Sequence, residues 1–368
     1  MKTRIRALFV IHDMSSGGAE RVINNILWHL DPERFDVHLV LHRSTIVYPL
    51  PEALPVYELG LKHPLQTLTA VKRLRHLIRE IQPDVLISGA LNPALLCAEA
   101  VRSLDRRPKT VALIVNNPKM EPNWRQPWAR RSYKAFDHIV AQCNDLREIF
   151  LETYPFVDAG RAQVWNTPVD VERVQQQAEA PTDEAGNSRA ALVTLGRLCH
   201  QKRFDILLEA LALVRQRRPT DLLILGEGPL RAKLERQIES LGLGDAVSMP
   251  GFTVNPHPAL AAAQLCVLSS DFEGLPNVLM EAQALGIPVV STDCPTGPAE
   301  IVADGETGLL VPCRDPKALA QAILRLLDDE DLRRRMAAGA RQRMRERLDV
   351  HVCVPRFAAL LETIVTEG

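Results

Sequence analysis

LCVLSSDFEGLPNVLMEAQAL, residues 265–285, is the stretch on which the reading of the fold turns. Its opening, Leu265 to Ser270, is a short apolar run that reads as a buried strand, and VLMEAQAL has the apolar spacing of a helix. Between them Gly274, Leu275, Pro276 and Asn277 make a turn, with Val278 in the first turn of the helix. In open parallel sheets, chemistry sits at such junctions. Free backbone N–H groups and the positive end of the helix dipole suit an anion there, such as a diphosphate. Glu273 stands just before the turn and Glu281 within the first two turns of the helix. Neither carboxylate faces a phosphate usefully, so hydroxyl groups are their expected partners, one sugar at each end of a sugar nucleotide. The plainer alternative is an N-capping acid and a solvated helix acid.

Outward from this stretch the chain alternates strand and helix. RALFVI (6–11) reads as a strand, SSGGAER (15–21) as a glycine loop, and AERVINNILWHL as a helix with Val22, Ile23, Ile26, Leu27 and Leu30 on one face. FDVHLVL (35–41), DVLISG (84–89), TVALIV (110–115) and DHIVAQC (137–143) follow as strands. After QVWNTPVD (163–170) the polar, turn-rich EAPTDEAGNSRA predicts a linker or surface loop. Strands resume at ALVTLGR (191–197), DLLILGEG (221–228), AVSMPGF (246–252), 265–270 and IPVVST (287–292), and GETGLLVP predicts a turn into one more. From DPKALAQAILRLL to the end the period is helical, with DDED (328–331) as a helix cap. Such alternation argues for α/β architecture with parallel sheets, and 368 residues leave room for about two domains.

Composition narrows the partners. With 46% hydrophobic and 24% charged residues the chain is ordinary for a soluble protein. The net charge of −1 hides a split: residues 1–168 carry 22 Lys and Arg against 17 Asp and Glu, the remainder 22 against 28. A basic first half is expected to meet something anionic, a membrane surface or nucleic acid. No basic patch with interleaved aromatics resembles a nucleic-acid reading module, so no nucleic-acid partner is expected. Seven scattered cysteines without a C-x-x-C pair fit reduced thiols in the cytoplasm. RALFVIHDM is too short for a secretory signal, and no apolar run approaches the roughly 20 residues of a membrane span. Membrane contact is therefore expected to be peripheral, on the inner face of the cytoplasmic membrane. Two segments suit an anionic headgroup layer: residues 63–81 with Lys72, Arg73, Arg75 and Arg79, and residues 123–136 with Trp124 and Trp128 among Arg125, Arg130, Arg131 and Lys134. A solvated charged face is the alternative.

Glu273 and Glu281, seven residues apart with a glycine directly after the first, resemble the signature of family 4 glycosyltransferases, retaining nucleotide-sugar-dependent enzymes of the GT-B fold. Other phrases are similar to the same family. Gly196-Arg197 with Lys202 five residues on resembles its diphosphate clamp. The loop carrying Gly17 and Gly18 resembles the N-terminal loop that closes over the donor diphosphate, whereas a G-x-G-x-x-G dinucleotide fingerprint is absent. Asn166 to Asp170 looks like the crossing into the second domain. CPTGPAEI (294–301) resembles a branch that assembles bacterial polysaccharides and lipid-linked oligosaccharides.

The resemblance implies a GT-B architecture: two Rossmann-like doubly wound parallel-sheet domains facing across a cleft. An acceptor-binding domain is expected over 1–168 and a nucleotide-sugar-binding domain over 169–350. A last helix, 351–368, is expected to cross back onto the first domain through Phe357, Leu360, Leu361, Ile364 and Val365, the alternative being a helix that caps its own domain. Arg197 and Lys202 would stabilise the departing nucleoside diphosphate electrostatically. Glu273 would hold the donor sugar's hydroxyls and Glu281 the ribose. Neither metal nor cofactor is expected, since two cations and a helix end can serve in place of a divalent ion. Glu227 is expected either in the nucleotide pocket or as a turn residue, and Phe252 either against the base or in the core. Where many relatives place an acceptor-side histidine this chain has Asn116 and Asn117, which can hydrogen-bond a hydroxyl but cannot act as a base. His12 and Asp13 are the spare candidates. The implied activity is retaining transfer of a hexose or N-acetylhexosamine from a nucleotide sugar, UDP favoured, to a lipid-linked saccharide. The rivals are a sugar-nucleotide epimerase of related fold and a non-catalytic, membrane-docked binding protein.

Overall fold

Parallel strands are buried on both faces, so their sequences are continuous apolar runs rather than alternating ones. The computed structural model describes residues 4–15, 17–61 and 63–367; Ser16 of the glycine loop lies outside the described residues. Two compact units emerge, Met1–Pro168 with Val350–Gly368, and Val169–Asp349.

In the first unit the strands are β1 (Ile5–Ile11), β2 (Phe35–Leu41), β3 (Val56–Glu58), β4 (Val85–Ser88), β5 (Lys109–Ile114), β6 (His138–Ala141) and β7 (Ala162–Val164). They form one parallel sheet in the order β3-β2-β1-β4-β5-β6-β7. Helices α1 (Gly18–His29), α2 (Thr67–Ile81), α3 (Leu91–Val101), α4 (Gln126–Tyr133) and α5 (Asn144–Thr153) connect them. In register, Phe9 lies beside Leu39 on one side and Ile87 on the other, and all three belong to one buried core with Val22, Ile23 and Ile26 of α1.

The second unit carries β8 (Leu192–Leu195), β9 (Leu222–Leu225), β10 (Val247–Gly251), β11 (Leu265–Leu268), β12 (Val289–Thr292) and β13 (Gly308–Val311). They are again parallel, in the order β10-β9-β8-β11-β12-β13. Its helices are α6 (Val171–Glu179), α7 (Glu184–Asn187), α8 (Phe204–Arg215), α9 (Arg231–Ser240), α10 (His257–Ala262), α11 (Asn277–Leu285), α12 (Pro298–Ile301), α13 (Pro316–Asp328) and α14 (Glu330–Arg343). Asp329 caps α14, accepting from Leu332 N at 2.8 Å, as the DDED run suggested. Helix α15 (Val350–Thr366) returns to the first unit, where Val354, Phe357, Leu361 and Ile364 join the core of β1 and α1; Leu360 and Val365 sit at its margin.

Two doubly wound parallel sheets in an α/β chain are the architecture expected from the alternating pattern. Two details differ from the sequence reading. The edge strands β3 and β7 escape it because each is three residues long, and β7 lies where the crossing phrase begins. The segment expected as a linker loop contains α7, one turn of helix capped by Asp183, which accepts from Gly186 N at 2.8 Å.

Both sheets reverse their strand order, between β1 and β4 and between β8 and β11. The crevice outside the carboxyl ends of the strands at such a switch point is where open α/β sheets bind ligands.

Candidate functional site

At the second unit's switch point, the loop after β8 carries Arg197 and Lys202 and the loop after β11 carries Glu273. Sheet order makes these loops neighbours although about seventy residues separate them. Glu273 is buried, and its Oε1 accepts from Lys202 Nζ at 2.6 Å and from Ser270 Oγ at 2.5 Å. Glycine at 196 makes room for the lysine stem, since a Cβ there would stand 3.0 Å from Lys202 Cε. Arg197 is exposed and has no ion-pair partner among the described residues. The two expected cations therefore differ: one is bound to the acid, the other open to an incoming anion.

A salt-bridge network that the sequence reading missed fixes these loops. Asp271 accepts from Arg203 Nη1 at 3.2 Å and from Arg314 Nε and Nη2 at 3.0 and 2.9 Å. Arg203 also grips Asp205 through two bonds of 2.9 Å. Burial alone would raise the Asp271 pKa, but the bonds from Arg314 and Arg203 outweigh it and hold the carboxyl below its ordinary range. Asp271 lies inside the decisive stretch, yet nothing in its spacing marks it as the anchor.

The turn before α11 is held from behind. Thr296 Oγ1 donates to Glu273 O, and a Cβ on Gly297, whose φ is +85°, would lie 2.0 Å from Gly274 O. Pro276 sits at the N-cap of α11 and no side chain caps that end, so the helix presents backbone N–H groups at the crevice. Gly297→Ala is expected to destabilise the chain by roughly 2 kcal/mol or more through the clash and the left-handed backbone. Gly305→Ala, at φ +76° in open space, is expected to cost only about 1 kcal/mol. Urea unfolding of the pair checks the difference.

Glu281 is buried on α11, with His257 Nε2 3.6 Å from its Oε2, a neighbour sequence reasoning did not anticipate. Glu227 is exposed at the end of β9 and pairs with Arg231 at 2.6 and 2.9 Å; Arg231 Nη2 in turn donates to Met249 O at 3.1 Å. That arrangement fits the turn role. Phe252, 47% exposed after β10, is not a core residue.

In the first unit, Gly17 is the N-cap of α1 and Gly18 its first residue. Neither has positive φ, so a left-handed turn does not explain them. Gly17 instead leaves space for Glu20, whose Oε2 would lie 2.0 Å from a Cβ there. Asn116 is exposed after β5, whereas Asn117 is buried and caps a short helical turn, its Oδ1 accepting from Lys119 N at 2.9 Å. Asp13, after β1, bonds His12 Nδ1 at 2.8 Å and Ser15 N at 3.1 Å. Burial raises its pKa less than the bonds from Ser15 and His12 lower it. Behind His12 lies His42, which the sequence reading did not single out; burial pushes its pKa down to about 4.

The basic segments look different in three dimensions. Arg73 bonds Leu59 O, Arg75 bonds Glu99 O and Ala100 O, Arg131 pairs with Glu99, and Arg125 with Glu121. Much of the expected free positive charge is thus engaged within the unit. Lys72, Arg79, Arg130 and Lys134 remain exposed, as do the apolar side chains of Leu65 (96%), Leu68 (77%), Trp124 (71%) and Trp128 (57%). No helix among the described residues is long and apolar enough to cross a membrane.

The chain is similar to known proteins. Residues 16–173 match the family described as Glycosyltransferase Family 4, and residues 176–343 the family described as Glycosyl transferases group 1. A Campylobacter jejuni protein, N-acetylgalactosamine-N,N'-diacetylbacillosaminyl-diphospho-undecaprenol 4-alpha-N-acetylgalactosaminyltransferase, is 28% identical over 90% of this chain and 93% of its own length. LpsD of Rhizobium meliloti, a lipopolysaccharide core biosynthesis glycosyltransferase, is 26% identical over 96% of this chain and 97% of its own. The crystal structure of Anabaena HepE in complex with UDP-glucose superposes with a TM-score of 0.80 at 21% identity, covering 98% of this chain and all of that one.

Proposed function

Taking as premise that the chain is a GT-B, family 4-like glycosyltransferase, its halves matching the family 4 and group 1 families in turn, we propose that it transfers a hexose or N-acetylhexosamine from a UDP-sugar to a lipid-linked saccharide with retention. The observation that carries this reading is the cluster at the β8/β11 switch point: Glu273 held by Lys202 and Ser270, exposed Arg197, and the start of α11 without a side-chain cap. The diphosphate lies against the α11 N–H groups, Arg197 and Lys202, which stabilise the charge that develops as it leaves. Glu273 accepts from the donor sugar's hydroxyls and Glu281 from the ribose. As the C1–O bond to the phosphate breaks, the acceptor oxygen bonds C1 on the same face and its proton passes to the departing phosphate oxygen. No metal or cofactor takes a part in this scheme. On the acceptor side, Asn116 and the His12–Asp13 pair offer hydrogen bonds. Two relatives support the substrate classes: the Campylobacter jejuni protein is named for a diphospho-undecaprenol-linked acceptor, and HepE was crystallised with UDP-glucose.

The test incubates the purified chain with a panel of nucleotide sugars and polyisoprenyl-diphosphate-linked saccharides and determines the anomeric configuration of the product by NMR. Retained configuration is expected. An inverted product, or a free epimerised nucleotide sugar formed without acceptor, would sink the proposal.

Such an acceptor places the first unit at a bilayer. Leu65 lies in the short turn before α2 and Leu68 in the first turn of that helix, and Trp124 and Trp128 are placed likewise before and in α4. Both helices flank α3, and helices in a parallel sheet all begin at the strands' carboxyl ends, so these side chains rim one end of the unit. Trp124→Ala with Trp128→Ala is expected to weaken co-sedimentation with phosphatidylglycerol vesicles roughly tenfold. Nucleotide affinity should stay the same, and undiminished sedimentation would remove the membrane from the scheme.

A further inference from the structure

Helices α6, α10 and α11 meet behind the α11 crevice, and a chain of polar groups runs through the junction. Asn255 Nδ2 donates to Gln177 O at 2.8 Å, which decides the orientation of its amide and turns Oδ1 toward His257. That oxygen accepts from His257 Nδ1 at 2.9 Å and from the His257 backbone N–H at 3.3 Å. The ring is therefore fixed with its proton on Nδ1 and with Nε2 aimed at Glu281 Oε2, 3.6 Å away. Both side chains are 4% exposed, and Nε2 has no hydrogen-bond partner among the described residues.

A buried, oriented nitrogen left unbonded beside a buried carboxylate is costly unless the two come to share a hydrogen bond. One proton between Nε2 and Oε2, whichever atom holds it, makes the contact attractive; without it two lone pairs face each other. Cys266 of β11 is a further titratable neighbour. Burial first, then the charge of Glu281, pushes its thiol up to about 12, so it stays neutral and offers only a weak donor.

We propose that His257, oriented by Asn255, is a positioning residue that sets the direction of the Glu281 carboxylate and so determines how tightly the enzyme grips the ribose hydroxyls of its nucleotide. This rests on the reading of Glu281 as the ribose-binding acid and adds the group that aims it. His257 itself touches neither the sugar nor the diphosphate in this scheme.

The experiment uses the full chain and calorimetric affinities for UDP, GDP and ADP, each against its 2′-deoxy form. For whichever base binds, wild type is expected to prefer the ribonucleotide by roughly tenfold or more. In His257→Phe, which keeps a ring but loses the nitrogens, the preference is expected to fall to about twofold or less. His257→Gln, which can still donate to Glu281, is expected to restore most of it. A ring whose only role was to fill space would leave the ratio intact in His257→Phe, and that result overturns the proposal. Should His257→Phe fail to fold, Asn255→Ala keeps the ring but removes the oxygen that orients it; an unchanged ratio there also overturns the proposal. Glu281→Gln separates the two layers. If wild type shows no preference, or Glu281→Gln keeps it, the ribose reading falls and takes this inference with it. If Glu281→Gln abolishes the preference while His257→Phe and Asn255→Ala keep it, only the role of His257 falls.

Discussion

Lys202→Ala is expected to lower kcat/KM by roughly 10²–10³, the usual loss when one fixed donor to a developing negative charge is removed. Its geometry raises a competing explanation, because Lys202 Nζ also lies 2.6 Å from the Glu273 Oε1 that Ser270 bonds. Removing the lysine leaves a largely buried carboxylate with only neutral partners, the Ser270 hydroxyl and the Gln201 amide at 3.5 Å, so Lys202→Ala is also expected to cost about 3 kcal/mol of stability. Activity could then fall merely because Glu273 has moved. A double-mutant cycle with Glu273→Gln separates the causes. If Lys202 served only to hold the acid, its removal would cost little once residue 273 is a neutral amide. If it meets the diphosphate, nucleoside diphosphate affinity drops by a similar factor in both backgrounds, and that is the expected result. Arg197→Ala supplies the comparison. Arg197 is exposed and without an ion-pair partner among the described residues, so its loss should weaken diphosphate binding while the melting temperature stays near that of wild type.

How far the sequence anticipates this geometry depends on whether the information is local. Buried parallel strands are short apolar runs, and all strands of the second sheet but the edge strand β10 stand out as such, whereas β3 and β7 at the edges of the first sheet are too short to do so. Glu273 and Glu281 are visible because one turn and one helix separate them, a spacing set by the chain itself. The groups that hold them are not. Lys202 reaches Glu273 because β8 lies beside β11, and His257 reaches Glu281 because α10 packs on α11. Asp271 anchors Arg203 and Arg314 across separations of 68 and 43 residues. Charge patterning does not foresee which cations find partners. Arg73 and Arg75 bond carbonyl groups of neighbouring segments, while Lys72 and Arg79 of the same helix stay exposed.

Phe357→Ala is expected to destabilise the first unit by about 3–5 kcal/mol, the range for deleting a fully buried aromatic side chain. Phe357 is 0% exposed in the core of β1 and α1, its ring centroid 4.5 Å from that of Trp165. Trp165 Nε1 also donates to Cys353 O at 2.8 Å, two residues before Pro355, which lies inside the helix and cannot donate a backbone hydrogen bond of its own. The indole thus ties the helix to the first unit at Cys353 and packs its ring against Phe357 one turn further on. Leu360→Ala is the control: this side chain is only partly buried at the core margin and should cost about 1 kcal/mol. Trp165→Phe, which keeps most of the packing but loses the hydrogen bond, should also cost about 1 kcal/mol. Urea unfolding followed by circular dichroism reads these values as a shift of the first unit's transition, while nucleotide-protected melting reports the second unit separately. A helix that merely rested on the surface would make Phe357 and Leu360 equivalent, and equal costs for the two would exclude α15 from the first unit's core. Unequal costs make Val350–Thr366 part of the first unit's folding energy although the whole of Val169–Asp349 separates them from it in sequence, so a chain cut before Val350 is expected to leave β1 and α1 without the face they bury.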